Sequence, residues 1–264
     1  MHTIRKGVNY VTFFKSYIIL IDLHMFNLGF SKFIKAYKLK KKTKMNHKNV
    51  KFLVAGLFCI GLTGLQAQTM KDNDGNVYKT VIIGKQVWMA ENLKTTKYND
   101  GKAIPLVTDN NTWAALTTPA YSWRVNDEFK HKDDYGAMYN WYTVNINKLC
   151  HRGWHVPTDA EWRTLTTYLG GESVAGGKLK ETGTTHWVRP NTGATNSSGF
   201  TAYAGGGRYE DGRFYDLGSK GYWWSSTEEG EASAWCFKLQ YALRGINRVG
   251  SGKPFGMSIR CLRN

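Results

Sequence analysis

The strongest constraint on this chain lies near its middle, where Thr158 and Glu161 stand three residues apart just after Pro157. That spacing is a capping box: the Thr hydroxyl accepts from the backbone N–H of Glu161, and the Glu carboxylate reaches back to the N–H of Thr158. Pro157 closes whatever precedes it, because its ring fixes φ and disfavours helical geometry at Val156. Trp162, Leu165 and Leu169 then recur at i, i+3 and i+7, one apolar face of a helix, until Gly170 and Gly171 stop it. A helix with a single apolar face needs a second layer to cover that face.

The flanking sequence supplies strands for it. Asp74-Gly75 is a hairpin turn leading into residues 77–83, and Gly84-Lys85 turns the chain into residues 86–89, so two adjacent strands are expected. Downstream, residues 200–203, 221–227, 234–240 and 257–262 read as strands, and Asp211-Gly212 marks a hairpin across residues 209–215. The spacing of Ala137, Trp141 and Val144 predicts a second helix over residues 135–144. The chain has 264 residues and 42% hydrophobic content, enough for one well-packed core, and no repeat or long linker divides its later part. The expectation is one α+β domain over residues 68–264, with two helices, antiparallel strands and long loops.

A formal charge of +16 invites a nucleic-acid reading, but the charge is concentrated at the start. Residues 1–67 hold 12 of the 36 Lys and Arg and one acid, Asp22, so the remainder carries 24 basic and 19 acidic residues, a net of +5. No basic stripe remains to neutralise many phosphates, so no nucleic-acid partner is expected. Residues 45–67 read as a signal peptide: a short basic stretch, an apolar run over residues 52–65 and small residues ending at Ala67. That run is shorter than the roughly 20 residues of a membrane span, and no span is expected in the mature chain. Cys59 follows Phe58, a poor fit to the small residue that precedes a lipid-modified cysteine. Residues 1–44 lack a hydrophobic period and are read as a misassigned upstream extension, disordered, with translation starting at Met45. The rival, an anchor near residues 11–30, is interrupted by Lys15, Asp22 and His24, and each charge costs about 2.5–3.5 kcal/mol at mid-bilayer.

Six strings taken together resemble the Fibrobacter succinogenes major paralogous domain. They are residues 75–84 (GNVYKTVIIG), 88–93 (WMAENL), 136–142 (GAMYNWY), 153–162 (GWHVPTDAEW), 222–227 (YWWSST) and 258–261 (SIRC). The resemblance implies bacterial export. More widely, the order of elements is similar to the C-type-lectin-like fold, including its sulfatase-modifying, formylglycine-generating branch. That likeness implies a disulfide between Cys150 and Cys261, and export makes its oxidation plausible.

Specific chemistries find little support in the residues. The resemblance to calcium-dependent lectins would require oxygen ligands, yet Arg189-Pro190-Asn191 offers Arg where a carboxylate or amide is needed, and the later strand has Trp224-Ser225-Ser226. The 72–77 stretch fails as an EF-hand, with Gly75 fourth and Ile83 twelfth. His151 and His155 flank Gly153 before Pro157 and read as hydrogen-bonded or surface histidines, not a zinc pair. Cys236, between Trp235 and Phe237, reads as a buried free thiol, and Cys236 and Cys261 lack the close pairing of the sulfatase-modifying enzymes. No metal, cofactor or catalytic residue is expected. What remains is surface: Tyr209, Arg213, Tyr215, Tyr241, Arg244, Asn247 and Arg248 gather in the late hairpins and loops, and Tyr and Arg are the types that anchor interfaces. The expectation is an exported, secreted or cell-envelope, non-catalytic binding module for a glycan or protein. The alternatives are a structural or adhesive envelope component without a tight ligand, and an enzyme of the sulfatase-modifying type.

Overall fold

The structure is a computed structural model describing residues 69–264; the extension expected over residues 1–44 and the signal peptide expected over residues 45–67 lie outside the described residues. It has mixed helices and antiparallel sheets. The chain opens with a meander of β1 (Thr69–Lys71), β2 (Val77–Ile83) and β3 (Gln86–Met89). The turn between β1 and β2 is held by Asp72, whose carboxylate accepts from the N–H groups of Asp74 and Asn76 and from the Tyr78 hydroxyl. Then come α1 (Asn110–Ala114), β4 (Tyr121–Trp123), α2 (Glu128–Tyr135), β5 (Ala137–Tyr139), α3 (Trp141–Asn145) and β6 (Trp154–His155). Helices α4 (Asp159–Tyr168) and α5 (Glu172–Leu179) follow. The remainder is a small hairpin of β7 (Gly207–Arg208) and β8 (Phe214–Tyr215), a sheet of β9 (Lys220–Glu228), β10 (Ser233–Gln240) and β11 (Ile246–Gly252), and β12 (Leu262–Arg263).

The last strand completes the first sheet. Its order is β1-β2-β3-β12-β6, with Leu262 opposite both Trp88 and His155. Cys261, one residue earlier, is bonded to Cys150 just before β6, so the described body is closed on itself both by strand pairing and by sulfur. The second sheet runs β11-β10-β9.

Helix α4 is built as its sequence dictates. The Thr158 hydroxyl accepts from Glu161 N–H at 3.3 Å and the Glu161 carboxylate accepts from Thr158 N–H at 2.8 Å. Trp162, Leu165 and Leu169 are buried, with Trp162 stacked on Phe237 at 4.9 Å and tilted against Trp88 at 4.8 Å. The apolar face therefore joins the two sheets through one of the two apolar clusters, with Trp88, Leu262 and Phe237, and truncating such a Trp costs about 3–5 kcal/mol.

Several expectations are corrected. Residues 135–144 are not one helix: Tyr135 ends α2, residues 137–139 form β5 against β4, and α3 begins at Trp141. Gly136 breaks the helix at φ 66°, where a Cβ would press on Leu93 O and Asn92, and Asn140 caps α3 by accepting from Thr143 N–H at 3.2 Å. Every apolar side chain in this stretch but Tyr142 is buried, so the helical spacing of three of them carried no information. In place of two helices the described residues hold five α-helices. α5 has a low-propensity Gly176-Gly177 pair, required because a Cβ at either would collide with the carbonyl oxygen of Gly245 or Gly193. Residues 200–203 make a single bridge, Lys180 to Ala202, and within residues 257–262 only Leu262 belongs to a strand.

The three most deeply buried cations among the described residues are each held chiefly by backbone carbonyls. Lys180 Nζ donates to the carbonyls of Thr192, Gln240 and Leu243, joining the long loop after α5 to the β10–β11 tip. Arg260 donates to Met89 O, Phe200 O and Thr201 O, and to the Asn92 side chain. The third, Arg208, lies under the small hairpin. Burial pulls the Lys180 ammonium down to about 8. A base with a lowered folded-state pKa binds fewer protons than the unfolded chain between that value and its ordinary value of 10.5, so its contribution to stability rises with pH across that window. The unfolding free energy of the wild type relative to Lys180→Met is therefore expected to grow between about pH 8 and 10.5, by on the order of 1–3 kcal/mol, in paired denaturant titrations. A flat difference would show that the carbonyls hold the ammonium charged throughout.

Candidate functional site

A hairpin whose strands have two residues each cannot hold itself. Here it is fixed from beneath by Arg208, which has no exposed surface. Its guanidinium donates through Nε to Gly212 O at 2.8 Å, through Nη1 to Val107 O, and through Nη2 to Thr108 O at 2.9 Å. Its faces lie against the rings of Trp113 at 4.3 Å and Phe214 at 4.9 Å. Arg124 approaches Phe214 as well, at 5.6 Å, and donates to Tyr215 O at 3.0 Å. The cations lock the underside, and Tyr209 and Tyr215 pack edge to face at 4.9 Å.

Those tyrosines border one side of the second sheet. Strand register places Tyr222, Lys238 and Asn247 in one row and Lys220 opposite Gln240 in the next, all on the same side because strand side chains alternate. Asp216, from the turn entering β9, accepts from Tyr209 Oη at 2.5 Å and Tyr222 Oη at 2.8 Å and pairs with Lys220 at 3.3 Å. Burial alone would raise the Asp216 pKa, but those hydrogen bonds outweigh it and hold the carboxyl below its ordinary value. Burial and then the hydrogen bonds to Tyr209 and Asp216 push Tyr222 up, so its hydroxyl stays protonated. Tyr209 also packs on Phe255 at 4.5 Å, and Gln240 Nε2 donates to Asn247 Oδ1 at 3.1 Å. The result is a fixed surface of tyrosine rings beside amide and ammonium donors: Asn247 is exposed and Lys238 half-buried.

The structure brings together Tyr209, Tyr215 and Asn247 from the expected set, with Arg213 exposed at the hairpin tip. Tyr241 and Arg244 sit at the β10–β11 tip; Tyr241 N–H donates to Ser219 O, and the Arg244 stem lies over Gly193. Asn247 and Arg248 are not in a loop but on β11, and as strand neighbours they point to opposite faces. Arg248 turns to the helix side, 3.2 Å from the Trp235 ring centroid and paired through Nε with Asp159 at the start of α4. Its work there is to fix that helix to the sheet. Lys220, Tyr222, Lys238 and Gln240 were missed, although the alternation along β9 and β10 carries them.

Elsewhere, side chains singled out for chemistry serve the fold. His155 shares its ring nitrogens with Glu161 and Asn264, and Asn191 Nδ2 braces its loop through Glu181 O and Gly183 O. Cys236 is fully buried against Ser251, and burial pushes its thiol up to about 12. Among the described residues no group of three His, Cys, Asp or Glu is arranged to hold a metal, and no helix is long and apolar enough to cross a membrane. A groove of about 330 Å³ lies apart from the tyrosine surface, between Tyr98, Lys102, Pro105 and Ile146.

Among known proteins, no curated sequence and no solved structure matches this chain. The pattern of the Fibrobacter succinogenes major domain does, over residues 81–263. That match runs from the middle of β2 to the last strand and takes in the β9–β11 sheet, the first sheet apart from β1 and the start of β2, and the disulfide, so the chain belongs to the Fibrobacter succinogenes major domain family.

Proposed function

We propose that this protein is an exported, secreted or cell-envelope, non-catalytic recognition module of C-type-lectin-like fold, binding a glycan or protein on the surface between the β7–β8 hairpin and the accessible end of the β9–β10–β11 sheet that carries Lys220, Lys238 and Asn247. The observation that carries the reading is the rigid support of that surface. Arg208 and Arg124 are buried beneath it, while Tyr215, Arg213 and Asn247 stay exposed above. A preorganised surface loses little side-chain and loop entropy on binding, and Tyr with Arg gives large contact area and forked donors. The disulfide suits an oxidising compartment, in keeping with the signal-peptide reading of residues 45–67. The last strand, set between β3 and β6 in the first sheet and tied by sulfur to the segment before β6, supports the lectin-like reading. Cys261 is bonded to Cys150, so among the described residues Cys236 has no cysteine partner left for dithiol chemistry, which favours binding over catalysis of the sulfatase-modifying kind.

Glycan and protein arrays probed with the exported chain test this. A ligand is expected whose affinity falls about tenfold on Tyr215→Ala and again on Lys238→Ala, with thermal melting unchanged. An array without binders, or binding indifferent to both substitutions, would favour a structural or adhesive envelope role instead.

A further inference from the structure

The second sheet ends on an open edge. Strand β11 has seven residues and stands outermost in the order β11-β10-β9, and among the described residues the side facing away from β10 carries one backbone hydrogen bond, from Phe255 N–H to Gly252 O at the strand's last residue, which leaves Ile246, Arg248 and Gly250 open. Edges of this length are usually blunted by Lys, Pro, a bulge or a covering element. The sequence of β11, INRVGSG, contains neither Lys nor Pro. Its one charged side chain, Arg248, is folded back over Trp235 towards Asp159 and does not guard the edge.

We infer that this edge pairs with a second copy of itself, two β11 strands joining antiparallel about a two-fold axis at Val249 to make one continuous six-stranded sheet. Register arithmetic supports a second copy over an unrelated strand. With Val249 on the axis, Arg248 faces Gly250 of the other copy and Asn247 faces its Ser251. Gly250 has no side chain, and the Glu229 carboxylate of the same chain occupies the space its Cβ would take. That carboxylate has no ion-pair partner among the described residues. Residues opposite one another across an antiparallel pair share a face, so Glu229 of one copy meets Arg248 of the other, twice per dimer. Arg248 uses Nε for Asp159, and no hydrogen bond to its Nη atoms occurs among the described residues. The edge is thus complementary to itself in backbone, charge and steric room. The pairing goes beyond the recognition reading, and it sets two open tyrosine surfaces side by side on one sheet, the arrangement that yields avidity for a repetitive ligand.

Two short edges bury less than a standard interface of about 1,600 Å², so a dimer with Kd on the order of 1–100 µM is expected. Sedimentation equilibrium of the exported chain over a concentration series should show monomer and dimer. Hydrogen exchange over the same series should show alternate amides of β11 gaining protection as the dimer fills. Glu229→Arg should weaken association at least about tenfold while leaving the melting temperature unchanged, because Glu229 is exposed and unpaired within one chain. A chain that stays monomeric at its highest soluble concentration overturns the inference. So does a dimer in which the β11 amides exchange as in the monomer, since it would use another surface.

Discussion

Replacing both Cys150 and Cys261 by serine is expected to lower the unfolding free energy by about 5 kcal/mol, the chain-entropy value for a bridge spanning 111 residues. For a body of this size, that is a fall in melting temperature of roughly 10–20 °C. The position of the bridge argues for an effect near the full entropic value. Both sulfurs are buried, Met89 N–H donates to Cys261 O at 3.0 Å, and Asn99 Nδ2 donates to Cys150 O at 3.1 Å. The cross-link therefore holds groups that the first sheet already orders, and little native strain has to be offset. The two single substitutions should each cost at least as much as the double one, because each leaves a buried thiol without its partner. A thiol count supplies an independent check. Unfolded without reductant, the chain after Ala67 should label one cysteine, Cys236, and the folded chain none, given a buried thiol raised to about 12. Three labelled cysteines, or a double variant as stable as the wild type, would remove the bridge from the account of stability.

Local chemistry was legible in this sequence and long-range pairing was not. The capping box at Thr158 and Glu161 needs only its own few residues, and it is present in full. Strands β2 and β3 coincide with residues 77–83 and 86–89, since a Gly84-Lys85 turn leaves those two runs few ways to pair. Residues 135–144 misled because apolar side chains in a core can satisfy any period. Helix α5 was silent because its glycines follow from the approach of Gly193 and Gly245, which no local pattern announces. Strand β11 reads as a polar loop by composition and becomes a strand through its ladder with β10. The candidate surface was half visible for the same reason. Tyr209 and Tyr215 are conspicuous as residue types, but Lys238 and Asn247 become neighbours only through that ladder. Arg248, adjacent in sequence to Asn247, is sent to the opposite face by the pleat.

Replacing Arg208 by methionine is expected to destabilise the protein by about 3–5 kcal/mol and to abolish the binding proposed for the tyrosine surface. Two effects compete. Removing a buried guanidinium regains its desolvation penalty, several kcal/mol, expressed here as a pKa pulled down to about 10 by burial. Against that, the carbonyls of Val107, Thr108, Asp109 and Gly212 lose their donor, at about 1–3 kcal/mol for each one left buried and unpaired. The contacts with the Trp113 and Phe214 rings are lost too, worth about 0.5–2 kcal/mol. The unpaired carbonyls win. They belong to two segments, residues 107–109 and the hairpin turn, which among the described residues only this side chain joins by side-chain hydrogen bonds, so the damage is local and large. Arg208→Lys should recover little, because an ammonium lacks the planar fork that reaches both segments and packs between two rings. Denaturant unfolding gives the energy. Amide exchange gives the place: hairpin amides from Tyr209 to Tyr215 should exchange far faster while those of β10 keep their protection. If the hairpin stays protected in Arg208→Met, or the variant matches the wild type in stability, the buried clamp is not what holds the candidate surface in shape.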